Sequence, residues 1–333
     1  MAGTDQQPTA NTEVKTPEGL TNTVNLMEMG RPKILNEWAS KMDLSAYPSP
    51  DGTGIHEPKS QPWRKGLQAW ARPKEQKSRF DKLRGKNVLV LGGSSGIGFA
   101  VSEGALTAGA RVFIASSNTE KLASALERLR AAVPSGASSL SAHTVDLANP
   151  ATVDSNIESL LQSLDVSLDH IAFSAGNVTK TRPIQEATVD DIISRGIVRY
   201  FAPLMLAKHA RKYMNVDAAS SITLTGASTS DKPLPNYAVE AGYASGLEGM
   251  VRSLSCDLAP IRVNVIKPGA VHTEIFDRIP ASFLGPVLEK MKASATTGEI
   301  GDPSDAAEAY LHSMRNRFLA GQSLSVDGGM TLK

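Results

Sequence analysis

The chain has 333 residues, of which 41% are hydrophobic and 21% are charged, and its formal net charge is +1. This composition is typical of a globular α/β protein, and a charge so close to zero gives no electrostatic reason to expect binding to nucleic acid or to a membrane. No apolar run approaches the roughly 18 residues of a membrane span, and the first residues show no secretory or mitochondrial signal, so we expect a cytoplasmic location.

Cysteine and histidine usage exclude two further kinds of site. The one cysteine, Cys256, has no partner for an internal disulfide. It lies in an apolar helical stretch, which predicts a small packed core residue. The histidine and acidic residues show no metal-ligand spacing, so we expect no metal.

The N-terminal part differs from the rest of the chain. It holds eight of the 19 prolines, and its helix and strand periodicity is weak. We therefore predict an extension over residues 1–83, largely disordered or draped on the domain that follows at 84–333. Residues 59–86 are rich in Lys and Arg, with Trp63 and Trp70 between them, which indicates either an anion-binding arm or a solvated linker whose Trp rings pack on the domain. Acidic residues interrupt the charge run and favour the linker.

Seven short apolar runs alternate with helical segments from residue 87 onward. They are residues 87–91, 111–115, 141–145, 169–173, 221–225, 261–266 and 323–326. Nearly continuous apolar runs are typical of parallel strands that are buried on both faces. The alternation predicts a single α/β domain built on a Rossmann-like doubly wound parallel sheet.

A glycine-rich turn follows the first of these runs and leads into a helix. Its glycines are Gly92, Gly96 and Gly98. Such glycines make a tight turn, bring backbone amides close to a diphosphate and let helix and strand pack closely, while the helix N-terminus favours negative charge. The turn predicts a dinucleotide site.

The spacing Gly-x-x-x-Gly-x-Gly resembles that of the short-chain dehydrogenase/reductase family. Later segments that resemble the same family are Asp146-Leu147, Phe173 to Gly176, Ile261 to Thr273 and Gly321 to Gly329. The resemblance covers residues 84–333. It implies that the cofactor is bound by Gly92, Ser94, Ser95, Gly96, Ile97, Gly98, Ser116, Ser117, Asn118, Asp146, Leu147, Ser174, Gly176, Pro268, Gly269, Val271 and Thr273.

The end of the second strand favours NADP(H) over NAD. An NAD site usually has an acid there, which accepts a hydrogen bond from the ribose 2′-hydroxyl and would repel a 2′-phosphate. The chain has Ser116, Ser117 and Asn118 instead, followed by Lys121. These residues can donate hydrogen bonds to a phosphate, although the Arg of many NADP-using relatives is replaced by Ser117.

The catalytic positions depart from the family pattern. In the family, a Tyr exchanges the proton, and a Lys four residues later lowers the Tyr pKa and holds the ribose. The register of the helix places Glu240 and Ala244 there, and no tyrosine in the chain has a lysine four residues later. The family's Ser falls on Ala227 or Ser228, and its helical Asn becomes Arg199.

Three functions remain open. The first is NADP(H)-dependent reduction of a carbonyl or imine on a hydrophobic small molecule, as in Tyr-less fungal natural-product reductases that the chain resembles; the proton would come from Glu240, water or a substrate cation near Arg199. The second is non-redox catalysis (isomerase, cyclase or dehydratase), and the third is a dinucleotide-binding pseudoenzyme. Glu240 can instead cap its helix, Arg199 can pair with an acid, and Ser228 and His272 can be ordinary loop residues.

Two further expectations come from the resemblance. The apolar segment from Glu274 to about Gly298 corresponds to the family's substrate lid, which implies a bulky hydrophobic substrate; alternatively it is a helix pair packed on the core. The helix that begins near Glu240 resembles the family's subunit-contact helix, which implies a homodimer or homotetramer.

Overall fold

A computed structural model describes residues 79–176, 181–274, 276 and 280–333. The predicted extension, with Trp63 and Trp70, lies almost entirely outside these residues. The strands are β1 (Asn87–Leu91), β2 (Arg111–Ser116), β3 (Leu140–Thr144), β4 (His170–Phe173), β5 (Ser221–Thr225), β6 (Arg262–Pro268) and β7 (Ser323–Val326). The α-helices of the described ranges are α1 (Gly96–Thr107), α2 (Thr119–Ala132), α3 (Val153–Ser163), α4 (Val189–Gly196), α5 (Ala202–Tyr213), α6 (Ala238–Asp257), α7 (Ala281–Ser294) and α8 (Pro303–Arg315).

The seven strands form one sheet in the order β3-β2-β1-β4-β5-β6-β7, and every pair is parallel. This confirms the predicted Rossmann-like doubly wound sheet, and each predicted strand agrees with the observed one to within two residues at either end. The order reverses direction beside β1, which pairs with β2 on one side and β4 on the other. Crevices at such reversals are the usual ligand sites of these sheets.

Both faces of the sheet are covered, which explains the continuous apolar runs. Along β1, Val88 and Val90 face a core that includes α1, α2 and α8. Leu89 and Leu91 face a second core that includes α3, α5 and α6. All four side chains are fully buried. The packing on two sides leaves the carboxyl edge of the sheet as the place where polar side chains can meet.

The prediction that Cys256 is a packed core residue is wrong, because Cys256 is exposed. The buried residues of α6 are Ala244, Leu247, Met250 and Val251. At 3.6 residues per turn, position 256 lies on the opposite side of the helix from Leu247. The apolar content of this stretch therefore belongs to one face only.

A buried arginine secures the amino end of β6. Arg262 is 3% exposed, and its guanidinium donates hydrogen bonds to five backbone carbonyl oxygens. Two of these belong to Ser313 and Met314, at the end of α8. A cation is favourable at the C-terminus of a helix, so this contact joins α8 to the sheet at the edge opposite the crevice.

No helix in the described ranges is long and apolar enough to cross a bilayer. The same ranges contain no group of three or more His, Cys, Asp or Glu side chains placed to hold a metal ion.

Candidate functional site

The carboxyl ends of the central strands lie at one edge of the sheet. Leu91 at the end of β1 pairs with Ala115 of β2 and with Phe173 of β4. Phe173 in turn pairs with Leu224 of β5. The segments that follow these strands, which contain most of the predicted site residues, therefore meet at one edge.

The glycine turn after β1 has no space for larger residues at two positions. Gly92 has a φ of +87°, and a Cβ there would lie 2.6 Å from the backbone nitrogen of Ala175. A Cβ on Gly98 would overlap the Gly92 carbonyl and the Ser174 hydroxyl. The Ser174 hydroxyl also donates to Leu91 O (3.1 Å). The turn and the start of α1 thus pack directly on the segment after β4, as a dinucleotide cradle requires.

The first turn of α1 follows within this cradle. Ser94 is buried, and Ser95 is the N-cap residue but makes no capping hydrogen bond with its side chain. Ile97 follows as the second residue of the helix. A cradle that presents backbone amides at a helix N-terminus suits a diphosphate.

A carboxylate that the sequence analysis did not identify lies against this turn. The Gly96 N–H donates to Glu274 Oε2 at 2.8 Å, and Arg128 of α2 lies 3.8 Å from Glu274 Oε1. Thr273 lies close by, since its Cγ2 would be 3.0 Å from a Cβ on Gly96. Negative charge is favourable at a helix N-terminus. Glu274 is 178 residues from Gly96, so no local pattern indicates the contact.

The edge of β2 presents no acid at the predicted ribose position. Ser116 is half-buried, and Ser117 and Asn118 are exposed. Asn118 caps α2, because its side chain accepts a hydrogen bond from the Lys121 N–H at 2.8 Å. Beyond β3, Asp146 is exposed and accepts the Ala148 N–H (2.8 Å), while Leu147 is buried.

The segment after β6 approaches the same edge. Gly269 packs on the loop after β7, because a Cβ there would lie 2.7 Å from Asp327 Cα. Val271, three residues after Pro268, pairs with Gly301 in an isolated parallel bridge. Pro268, Gly269, Val271 and Thr273 therefore lie in one ordered segment that leads from the end of β6 to the glycine turn.

Glu240, which the sequence register predicts in place of the family's tyrosine, is an ion-paired carboxylate. Glu240 lies in the first turn of α6, and Ala244, one turn later, is buried. Glu240 Oε1 lies 3.1 Å from Nη1 of Arg195, whose Nη2 lies 2.7 Å from Asp191. Burial alone would lower the pKa of Arg195, but the hydrogen bond to Asp191 and the charge of Glu240 outweigh it and raise that pKa.

Arg199 lies on a turn of π-helix, Ile197–Phe201, between α4 and α5. Its guanidinium packs against Gly176, where a Cβ would overlap it. Among the residues that the structure describes, it has no hydrogen-bond or ion-pair partner. Burial lowers its pKa, and the nearby Tyr310 opposes that shift. A half-buried cation without an acid beside it, on a π-turn, is typical of a functional site.

Ser228 opens a short 3-10 turn, Ser228–Ser230, shortly after β5. Gly176, which contacts Arg199, follows β4, and Ser228 follows β5. Because these two strands are neighbours in the sheet, both residues lie at the same edge. His272 is exposed, and its ring centroid lies 5.4 Å from that of Phe276.

The helix of the predicted lid packs only lightly on the domain. No residue of α7 whose side chain the structure describes is buried, and Phe283 is 64% exposed. Phe276, which precedes this helix, is buried, while Ile275 and Ile279 lie outside the described residues. The exposure of α7 does not fit the alternative of a helix packed on the core.

In comparisons with known proteins, the family model of the SDR-like Rossmann domain (SDR, short-chain dehydrogenase/reductase) matches residues 80–333. The chain is 39% identical to the short-chain dehydrogenase/reductase fsr5 of Gibberella fujikuroi over 75% of its own length and 96% of that protein. It is 38% identical to malC of Malbranchea aurantiaca, over 76% and 97% of the two chains.

Two solved structures are similar to this chain. The structure of the MalC reductase/Diels-Alderase of Malbranchea aurantiaca superposes with a TM-score of 0.74 at 37% identity, over 77% of this chain and 100% of that one. A short-chain dehydrogenase/reductase of Serratia marcescens gives a TM-score of 0.64 at 26% identity, over 75% and 99%. The chain therefore belongs to the short-chain dehydrogenase/reductase family, a family of oxidoreductases that bind a nicotinamide dinucleotide.

Proposed function

We propose that this protein is an NADP(H)-dependent reductase that delivers a hydride to a carbonyl or imine on a hydrophobic small molecule, in secondary metabolism of the fungal type. The observation that carries the proposal is the guanidinium of Arg199, which has no anion beside it in the described residues and lies against Gly176 at the carboxyl edge of the sheet. The similarity to fsr5 and malC supports the fungal context.

The turn after β1 suits the diphosphate of the cofactor, because Gly92 and Gly98 let the turn and the start of α1 pack directly on the segment after β4, and a helix N-terminus favours negative charge. We propose that the phosphates bind at the turn of residues 92–98, where Glu274 accepts the Gly96 N–H in this structure, the adenosine at Asp146 and Leu147, and the nicotinamide beside the segments that end at Gly176 and Thr273. When bound, the cofactor supplies the hydride.

The choice of NADP(H) follows from the end of β2. Ser116, Ser117 and Asn118 carry no negative charge, and Lys121 is exposed one turn along. Because the side-chain oxygen of Asn118 already accepts from the Lys121 N–H, its side-chain NH₂ and the two serine hydroxyls are the neutral donors for a 2′-phosphate. None of these three residues would repel a 2′-phosphate.

Arg199 is the residue that we assign to the substrate. A guanidinium that donates hydrogen bonds to a substrate oxygen stabilises the negative charge that develops as a carbonyl is reduced, and a partly buried position strengthens this effect. Ser228 is the second donor that we propose. Glu240 is ion-paired with Arg195, so we propose that it acts as a fixed negative charge near a cationic imine, and that the proton comes from Ser228 or water.

A second candidate is a non-redox cyclisation. The solved relative with 37% identity is described as both a reductase and a Diels-Alderase. The geometry of Arg199 suits this as well, because a guanidinium can polarise a carbonyl without transferring a proton.

The remaining assignments are also proposals. We propose a domain over residues 84–333 after an extension, a cytoplasmic location and a homodimer or homotetramer assembled through α6. The face of α6 that is not packed on the sheet supports the assembly, because added Cβ atoms at Gly242 and Gly249 would meet no atom within 4 Å.

One set of measurements separates the candidates. Fluorescence titration compares the affinities for NADPH and NADH, and incubation with NADPH and a panel of ketones, imines and dienes follows both NADPH absorbance and product. We expect tighter binding of NADPH and its consumption with an imine or ketone. A product formed without loss of NADPH favours the cyclase, NADPH binding without any product favours the pseudoenzyme, and no affinity for either nucleotide contradicts the whole assignment.

A further inference from the structure

A buried lysine near the carboxyl end of β6 lies close to the proposed site. Lys267 is the second-last residue of β6, and its side chain is only 7% exposed. The aliphatic part of its side chain passes beside Gly226: a Cβ on Gly226 would lie 3.4 Å from Lys267 Cγ. The side chain therefore runs underneath the segment that follows β5.

The ammonium of Lys267 is bound by two carboxylates from different elements. Nζ lies 2.7 Å and 2.9 Å from the two oxygens of Asp231, and 3.2 Å from Glu248 Oε1. Burial alone would lower the pKa of Lys267, but the hydrogen bonds to Asp231 and Glu248 outweigh it and raise that pKa. The ammonium is therefore held in its charged form, and its burial is compensated by close pairing.

These two carboxylates belong to the segments that carry proposed site residues. The Asp231 N–H donates to Ser228 O at 3.1 Å, so Asp231 closes the turn that Ser228 opens. Glu248 lies on α6, about two turns after Glu240. One ammonium thus joins the Ser228 turn to the helix that carries Glu240. In the loop between the Ser228 turn and α6, Pro233, Leu234 and Asn236 are exposed, and Lys232 Nζ donates to Met330 O at 3.1 Å.

We propose that Lys267 is a positioning residue for the proposed reduction: through Asp231 and Glu248 it fixes the Ser228 turn relative to α6. This inference rests on the proposed function, because it presumes that substrate is bound at the carboxyl edge of the sheet. Lys267 does not replace the family's missing lysine, since its charge is directed to two carboxylates and not to a ribose. Arg262, at the other end of the same strand, provides the contrast, because it bonds backbone carbonyls far from the crevice.

The test compares full-length Lys267→Met, Lys267→Arg and Asp231→Asn with a matched control, Arg262→Lys. The measurements are kcat and KM with the substrate identified by the panel, the Kd for NADPH, the thermal midpoint, and amide hydrogen exchange over residues 226–237. For Lys267→Met we expect kcat to fall by about tenfold or more, with KM and the NADPH Kd within about twofold, and faster exchange in the loop. Lys267→Arg should recover most of kcat, because it retains the charge.

Arg262→Lys is the control, and Asp231→Asn is the milder variant. Arg262→Lys should lower the thermal midpoint but leave kcat of the folded protein and loop exchange unchanged. If Lys267→Met does not fold, Asp231→Asn decides, because Asp231 is 38% exposed and its removal leaves Glu248 paired with the ammonium. Unchanged loop exchange, or faster exchange with unchanged kcat, would overturn the inference. If the wild-type protein binds NADPH but reduces nothing, the proposed function fails, while loop exchange still reports whether Lys267 anchors the turn.

Discussion

Glu240 Oε1 lies 3.1 Å from Nη1 of Arg195, and Glu240 is the residue that we predict in place of the family's catalytic tyrosine. Arg195 has a side chain that is only 4% exposed, and its other terminal nitrogen pairs with Asp191. A cluster of this kind holds α4 against the start of α6.

Glu240→Gln should therefore act on stability more than on turnover. We expect the free energy of unfolding to fall by about 1–3 kcal/mol, because Arg195 loses a charged partner but keeps Asp191. Turnover with a neutral ketone should stay within about threefold, and turnover with an imine should fall more. Chemical denaturation and steady-state assays measure the two effects. A large loss of ketone turnover at unchanged stability would instead identify Glu240 as the proton donor.

Arg199→Met should reduce turnover by about a hundredfold, because the hydrogen bonds to the developing charge are lost. The Kd for NADPH should change little, and fluorescence titration measures it separately. Gly176→Ala should have a similar effect, since its Cβ would displace the guanidinium. Arg211→Met is the control: Arg211 is an exposed arginine of α5 that bonds the Ala259 carbonyl. Equal losses in Arg199→Met and Arg211→Met would contradict the role of Arg199.

Ser117→Asp should weaken binding of NADPH by about tenfold or more and improve binding of NADH, because a carboxylate at the end of β2 repels a 2′-phosphate and accepts from a 2′-hydroxyl. Ser117→Ala separates the effect of charge from the loss of the hydroxyl, and should weaken NADPH only slightly. Titration with both nucleotides is the measurement. A wild-type protein that binds NADH as tightly as NADPH would contradict the assignment at once.

His170 makes stability depend on pH. Burial lowers its pKa to about 3, and its Nδ1 lies 2.9 Å from the Ser221 hydroxyl in the sheet. The unfolded chain takes up a proton below about pH 6.5, whereas the folded chain does not until about pH 3. Stability from this residue is thus present above about pH 6.5 and is lost as pH falls below it.

His170→Gln removes this dependence. Between pH 6 and pH 4, the wild-type protein should lose about 1.4 kcal/mol per pH unit more than the variant, which corresponds to one proton. Urea denaturation at several pH values gives both slopes. Parallel slopes would mean that His170 is protonated in the folded protein as well.

The fold could be predicted because its signals are local. The apolar run that became β1 is buried by helices on both faces, and Gly92 and Gly98 are required by contacts with the adjacent segment after β4. The local pattern gave a wrong prediction for Cys256, because an apolar stretch of helix does not show which residues lie on its buried face. The sequence indicates even less about contacts between residues that are distant along the chain.

Lys267 illustrates that limit. Its partners Asp231 and Glu248 are 36 and 19 residues away, and no periodicity links three residues on a loop, a helix and a strand. One general rule applies: a lysine at the end of a buried strand is rarely buried itself unless it is paired. Such a residue predicts that at least one carboxylate from elsewhere in the fold pairs with it, but the sequence does not show which carboxylate.

The outward position of Cys256 on α6 has a practical consequence. The chain has no other cysteine, so a maleimide fluorophore would attach at one defined place. That place is on the helix through which we propose that subunits assemble. Mixing donor-labelled and acceptor-labelled preparations would then report subunit exchange by energy transfer without any engineered mutation.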